Sequence, residues 1–254
     1  MATSLKIDLN CDLGESFGRY SLGEDAAMMA MITSANIACG FHAGDPDVMA
    51  DTVALAKAHG VAIGAHPGYP DLQGFGRRRL DLTCQEITHL LIYQLGALHA
   101  FVRAAGLDLT HVKPHGALYN AAAKDENIAK AVAAGVVAYD PVLILVGLAG
   151  SALIRAGREV GLQTANEGFP DRTYLPDGTL TPRRQPGAVI TDPDAVGENA
   201  LKLVREGIKI NGERVHLDTL CLHGDNPQAV DNACALREKL ALAGIAMAPL
   251  REVL

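Results

Sequence analysis

Residues 142–151 read VLILVGLAGS, five consecutive aliphatic residues followed by two glycines and a serine, and residues 152–160 (ALIRAGREV) then run on as a helix-like segment. An unbroken apolar run, rather than an alternating one, is the mark of a parallel strand covered on both faces. Six other stretches repeat the plan. Residues 5–9 (LKIDL) lead into Asn10, Asp12 and Glu15, and residues 34–39 (SANIAC) into Gly40 and His42. Val61–Ala65 stops at His66, Thr110–Val112 at Lys113 and His115, Leu162–Ala165 at Glu167, Asp171 and Arg172, and Thr219–Leu222 at His223 and Asp225. Strand-like runs alternating with helical patterns indicate repeated β/α units. Closed into a parallel barrel, such units bring all their strand ends to one rim, where the chemistry of these folds is built. The expected fold is α/β, a TIM-like (β/α) barrel, as one domain over residues 1–254.

The helix signals between the strands agree. Asp45-Pro46 offers an N-cap and an N1 proline ahead of a segment that ends at Gly60. Thr83 and Glu86 have capping-box spacing ahead of a segment closed by Gly106. Further helices are expected over 125–138, 151–160, 194–206 and 227–243. Residues 169–188 (FPDRTYLPDGTLTPRRQPGA) break the alternation as a long Pro/Gly-rich loop, of a length that is usually functional. Residues 208–217, centred on Asn211-Gly212, read as a small hairpin.

Composition narrows the function. Hydrophobic residues make up 49% and charged residues 20% of the 254, as in a well-buried globular protein. A net charge of −7, from 22 basic against 29 acidic residues, argues against a nucleic-acid or anionic-membrane surface. The stretch 131–150 is cut by Asp140-Pro141 and reads as a helix end, a turn and a strand rather than a membrane span. Lys6 and Asp8 leave no room for a signal-peptide core, and five cysteines form an odd set without a CxxC pair. A reduced, cytoplasmic setting is expected.

Chemistry-bearing residues follow from the strand ends. Extended backbone puts Asp8, Asn10 and Asp12 on one face, which is costly in a core unless hydrated, paired or catalytic. A turn or capping network is the competing reading. His42, His66, His115 and His223 each sit at or just past a strand end, where four from different units are harder to explain as separate structural histidines than one would be. His111 and His115 have the spacing of a helical zinc pair, but Pro114 forbids the helix. On a strand they would stand about 13 Å apart; a site built from His42, His66 and Asp12 stays open as the alternative, although no tightly bound metal is expected. Lys113 reads either as a snorkelling lysine or as an electrophile for an anionic oxygen. Arg172, Arg183 and Arg184 are candidates to clamp an anion, while the run Arg77-Arg78-Arg79 reads as surface. The sequence has no Gly-Lys dipeptide and no dinucleotide fingerprint. Gly147, Gly150 and Ser151 are candidate phosphate donors, or else glycines of tight strand-to-helix packing. No GxSxG occurs, and Cys11, Cys39 and Cys221 read as buried inert thiols.

The motifs DLNCDLGESFGRY (8–20), SANIACGFHAGDP (34–46), GAHPGYPDLQGFGRR (64–78), HVKPHGALYN (111–120), PRRQPGAVI (182–190) and CLHGDNPQAV (221–230) resemble the LamB/YcsF family. The resemblance runs from near residue 5 to about 250. It implies a barrel of seven strands related to the glycoside hydrolase/deacetylase superfamily. It also implies ATP-dependent hydrolytic opening of 5-oxo-L-proline to L-glutamate, with ATP as co-substrate and two further 5-oxoprolinase subunits, B and C, as partners. On that basis Asp12, His66, Lys113, His115, Glu167 and Arg172 are the expected catalytic set. Asn10, Glu15, His42, Asp171, His223 and Asp225 are expected to bind substrate. The alternative is a metal-dependent amide or sugar deacetylase, and a third reading is a ligand-binding subunit without catalytic activity.

Overall fold

The computed structural model describes residues 5–222 and 228–254. Its elements run β1 (Lys6–Leu13), α1 (Asp25–Met29), β2 (Ser34–Ala38), α2 (Pro46–His59), β3 (Ala62–His66), α3 (Cys84–Ala104), β4 (Leu109–Val112) and α4 (Gly116–Ala122). They continue with α5 (Glu126–Tyr139), β5 (Ile144–Leu148), α6 (Ala152–Glu159), β6 (Thr164–Gly168), α7 (Pro193–Glu206), β7 (Ile208–Ile210) and β8 (Glu213–Val215). β9 (Thr219–Leu222), α8 (Ala229–Leu242), β10 (Ala246–Met247) and α9 (Leu250–Val253) complete the order. Strands β1 to β6 pair in sequence order, all parallel, and β9 closes the ring by pairing with both β6 and β1. The result is a seven-stranded parallel barrel whose strand C-termini share one rim. β10 extends β1 at the opposite end, Lys6 against Ala246.

The local reasons are those the residue types supply. Asp45 caps α2 by accepting from the N–H groups of Asp47 and Val48, and Pro46 occupies N1. Thr83 and Glu86 form the reciprocal capping box of α3. Asn211 and Gly212, with φ of 51° and 92°, make the two-residue turn of the β7–β8 hairpin. The outward residues of β1, namely Ile7, Leu9, Cys11 and Leu13, join a hydrophobic cluster shared with α2, α3 and α8. The short elements α1, α4, β10 and α9 were not evident from residue patterning. α8 begins at Ala229, and the start expected for it at residue 227 lies outside the described residues. Among the described residues no helix is long and apolar enough to cross a membrane.

Inside the barrel the side chains are polar, whereas bulky aliphatic layers are usual for such barrels. Asp8 is fully buried and accepts hydrogen bonds from the hydroxyls of Thr33, Ser34 and Thr219 at 2.7, 2.6 and 2.5 Å. Burial nevertheless pushes its carboxyl up to about 6. One level up, His111 enters the barrel where β3 carries Gly64. A Cβ at Gly64 would overlap the His111 ring, and the β3–β4 register shifts at Ile63/Gly64. Burial, then Lys113 and His66, push the His111 pKa down to about 3, so the ring is neutral and its Nε2–H donates to Asn36 Oδ1 at 2.8 Å. Gly64→Ala is therefore expected to destabilise the fold by about 1–3 kcal/mol. Urea unfolding would read this as a lower midpoint at unchanged slope, and an unshifted midpoint would refute the close approach.

Candidate active site

Lys113 stands at the centre of the barrel mouth, placed by the residue after β4. Its Nζ lies 2.8 Å from Glu167 Oε1, 3.0 Å from Asp12 Oδ1, 3.1 Å from Asn10 Oδ1 and 3.2 Å from Cys221 Sγ. Burial opposes its charge, but Asp12, Cys221 and Glu167 outweigh burial and hold its pKa well above the ordinary lysine value. The ammonium is thus an internal cation bridging β1 and β6, not a snorkelling surface group. Glu167 is wholly buried and fully engaged, with Tyr119 OH donating to Oε2 at 2.6 Å and Asn10 Nδ2 to Oε1 at 3.0 Å. Asp12 differs: its side chain is 26% exposed. Burial works against its charge, yet His66 and Lys113 bring its carboxyl well below the usual range. Asn36 Nδ2 supports this carboxylate at 2.9 Å while also donating to Asn10 Oδ1 at 2.7 Å.

Beside this charge array lies a cluster of three histidines and Glu15, drawn from β1, β2, β3 and β4 and the turns after them. Glu15 Oε1 is 3.0 Å from His42 Nε2 and 3.3 Å from His115 Nδ1. His66 Nε2 is 2.9 Å from His115 Nδ1 and 3.3 Å from Asp12 Oδ2. The outer nitrogens of two rings are anchored to backbone: His66 Nδ1 to Lys113 O at 2.7 Å and His115 Nε2 to Phe75 O at 2.8 Å. His42 stacks on His115 with ring centroids 3.7 Å apart. Burial drives the His42 pKa down to about 3. Burial also disfavours charge on Glu15, but the hydrogen bonds of His115 and His42 outweigh it and bring the carboxyl to about 2.

A cleft of about 390 Å³ opens over Asp12, His66, Lys113 and His115. One wall is α4 and the other is the long loop, which contributes Phe169, Arg172 and the stretch from Leu180 to Arg183. Arg172 ties that loop together, donating from Nε to Ala188 O and from Nη2 to Thr181 O. Isolated bridges from Arg172 to Val189 and from Tyr174 to Leu180 add to this hold. Arg77, expected at the surface, lines the cleft with its guanidinium over the Phe75 ring. In the lining as a whole Asp12 is one carboxylate among Arg77, Lys113, Arg172 and Arg183.

The barrel thus brings together Asn10, Asp12, Glu15, His42, His66, Lys113, His115 and Glu167, with Arg172 at the cleft wall. Asp171 faces a separate small hollow beside Cys221 and Asn232. Arg184 is exposed and does not line the cleft. His223 and Asp225 lie outside the described residues. The three candidate phosphate donors are used within the scaffold. Gly150 N–H donates to Asn166 Oδ1, Ser151 Oγ caps α6 at Ile154 N–H, and a Cβ on Gly147 would press on Leu153. None of the three lines the cleft, and tight strand-to-helix packing accounts for them. Asn36, His111 and Tyr119 were missed. Asn36 was within reach, because alternation on β2 puts it on the face of Ser34, as Asn10 lies on the face of Asp8.

The LamB/YcsF family model matches residues 7–254. A protein of Heliobacterium modesticaldum, named as the A subunit of 5-oxoprolinase, is 58% identical over 247 residues, 96% of this chain and 97% of that protein. Proteins of the same name from Pyrococcus furiosus and Bacillus subtilis are 55% and 54% identical, each over 97% of this chain and 98% of their own length. Among solved structures, the lactam utilization protein of Thermus thermophilus superposes with a TM-score of 0.90 at 47% identity, covering 96% of this chain and 99% of that one.

Proposed function

The chain belongs to the LamB/YcsF family, and from that premise we propose that it is the A subunit of an ATP-dependent 5-oxoprolinase, a hydrolase that opens the lactam of 5-oxo-L-proline to L-glutamate. The relatives' shared name supports this reading and implies a multi-subunit assembly, with subunits B and C as the proposed partners. A metal-dependent deacetylase is not favoured, since relatives at 54–58% identity over nearly the whole length carry the oxoprolinase name.

The observation that carries the proposal is the cleft's charge. In a chain of net charge −7, one ionised carboxylate faces a lysine and three arginines. Such a lining suits a small substrate with a carboxylate of its own and further anionic oxygens forming during reaction. A five-membered lactam resists water because its amide is resonance-stabilised. Transfer of a phosphoryl group from ATP to the lactam oxygen gives an imidate-like carbon that water attacks. Asp12 takes the proton from that water. The tetrahedral adduct breaks its C–N bond, and the ring nitrogen leaves as the amine by taking back the proton that Asp12 accepted. The resulting acyl phosphate is hydrolysed by a second water to glutamate and phosphate. Lys113 and Arg172 face the developing oxyanion, Glu167 and Asn10 hold Lys113, and His66 and His115 orient Asp12 and substrate. Glu15 and His42 fix those two rings. His223 and Asp225, which follow β9 in sequence, are proposed to orient substrate. ATP is the co-substrate of the complex, acting in the cytoplasm.

The test is glutamate release from 5-oxo-L-proline by this chain with subunits B and C, with and without ATP. Release is expected only when all three chains and ATP are present. The same rate without this chain would end the proposal.

A further inference from the structure

The histidine cluster has too many acceptors for its donors. Backbone carbonyls accept from His66 Nδ1 and His115 Nε2, so in the neutral rings those nitrogens carry the hydrogens. The lone pairs of His66 Nε2 and His115 Nδ1 then face one another at 2.9 Å. Glu15 Oε1 looks into the same gap from 3.3 and 3.9 Å, and Asp12 Oδ2 borders it at 3.3 Å from His66. Four acceptors converging on one point repel unless a positive charge sits among them. Lys113 does not fill that role, because its ammonium is bound to the far oxygen of Asp12 and to Glu167.

We infer that Glu15, His42, His66 and His115 form a binding site for a divalent transition-metal ion, with zinc the best match, reached through the cleft. One ligand atom from each of the four lies within 4.8 Å of the others. Zn–N and Zn–O bonds of about 2.0–2.2 Å place the ligands of a tetrahedron about 3.4 Å apart. The separations of 2.9, 3.0, 3.3 and 3.9 Å straddle that value. Three imidazoles and one carboxylate favour zinc or a neighbouring first-row ion over calcium or magnesium, which prefer oxygen alone. The carbonyl bonds of His66 and His115 supply the outer support that orients metal-bound imidazoles. Gly76, at φ 62°, leaves the room: a Cβ there would meet His42 and His115. The inference needs no assumption about the substrate, and it goes against the expectation that no metal is tightly bound.

The test uses the full chain stripped with chelator and titrated with Zn²⁺ by calorimetry, with metal content measured after dialysis. One equivalent is expected to bind and to raise the melting temperature, as for any ligand selective for the folded state. The Co²⁺ form should show the intense visible bands of a four-coordinate ion. Glu15→Gln and His66→Gln should each weaken Zn²⁺ binding by about 100-fold, with circular dichroism confirming folding. Glu15→Gln, at the more exposed edge, serves alone if the histidine variant does not fold. A proton shared between His66 and His115 is the competing occupant of the gap. It predicts no stoichiometric Zn²⁺ or Co²⁺ uptake, and that result would overturn the site, as would uptake undiminished in both variants.

Discussion

Asp12→Asn will lower kcat of the assembled complex by about 100-fold or more while leaving the fold intact, the range lost when a general base is removed. The geometry separates the two effects. Asn36 Nδ2 donates to Asp12 Oδ1, which the amide oxygen of asparagine reproduces. Lys113 keeps Glu167 as its buried partner. The change therefore removes a charge and a proton acceptor at the cleft without opening a void. Because Asp12 faces the cleft and Glu167 does not, the variant also decides which carboxylate acts on water. Steady-state kinetics should show the loss mainly in kcat, since groups held away from Asp12 still bind the substrate. A variant that melts like the parent and turns over at the parental rate would remove Asp12 from the chemistry.

Sequence patterning reached the architecture because barrel strands and caps are local signals. The unbroken run before Gly147, the Asp45-Pro46 cap and the Thr83/Glu86 box each depend on a few neighbouring residues. β1 was readable to the level of its inward face, since Asp8, Asn10 and Asp12 follow the two-residue period of any strand. The pairing of those residues was not readable. Lys113 meets Asp12 and Glu167 only because β4 faces β1 and β6 across a closed ring, and that closure rests on β9. The same holds for the histidine cluster, whose members Glu15, His42, His66 and His115 are scattered along the chain and share no motif. Glycine-rich turns misled in the other direction. Gly147, Gly150 and Ser151 have the composition of a phosphate loop, but Gly150 N–H donates to Asn166 Oδ1 and Ser151 Oγ accepts from Ile154 N–H in the first turn of α6. Short elements such as α4 and α9 fall below the length at which periodicity can be seen.

Lys113→Met carries the second large effect, and here stability and activity should fall together. The ammonium is 3% exposed and compensates one wholly buried carboxylate and one partly buried one. Removing one partner of a buried ion pair typically costs about 3–5 kcal/mol, because the remaining charge is stranded. Chemical denaturation of Lys113→Met should show a loss of that size, and the complex should have no measurable turnover. Lys113→Arg should fail as well, since a planar fork cannot take the place of an ammonium that contacts Asp12, Glu167, Asn10 and Cys221 from one point. The double variant Lys113→Met/Glu167→Gln tells charge from packing. With the buried Glu167 charge gone, the double variant should be more stable than Lys113→Met alone, with a coupling of about 1–3 kcal/mol in the double-mutant cycle. Its activity should stay lost, because the cation proposed to face the developing oxyanion is gone. Strictly additive stabilities would show that Lys113 contributes volume rather than charge, and would leave the barrel mouth without the ion pair on which the proposed chemistry relies.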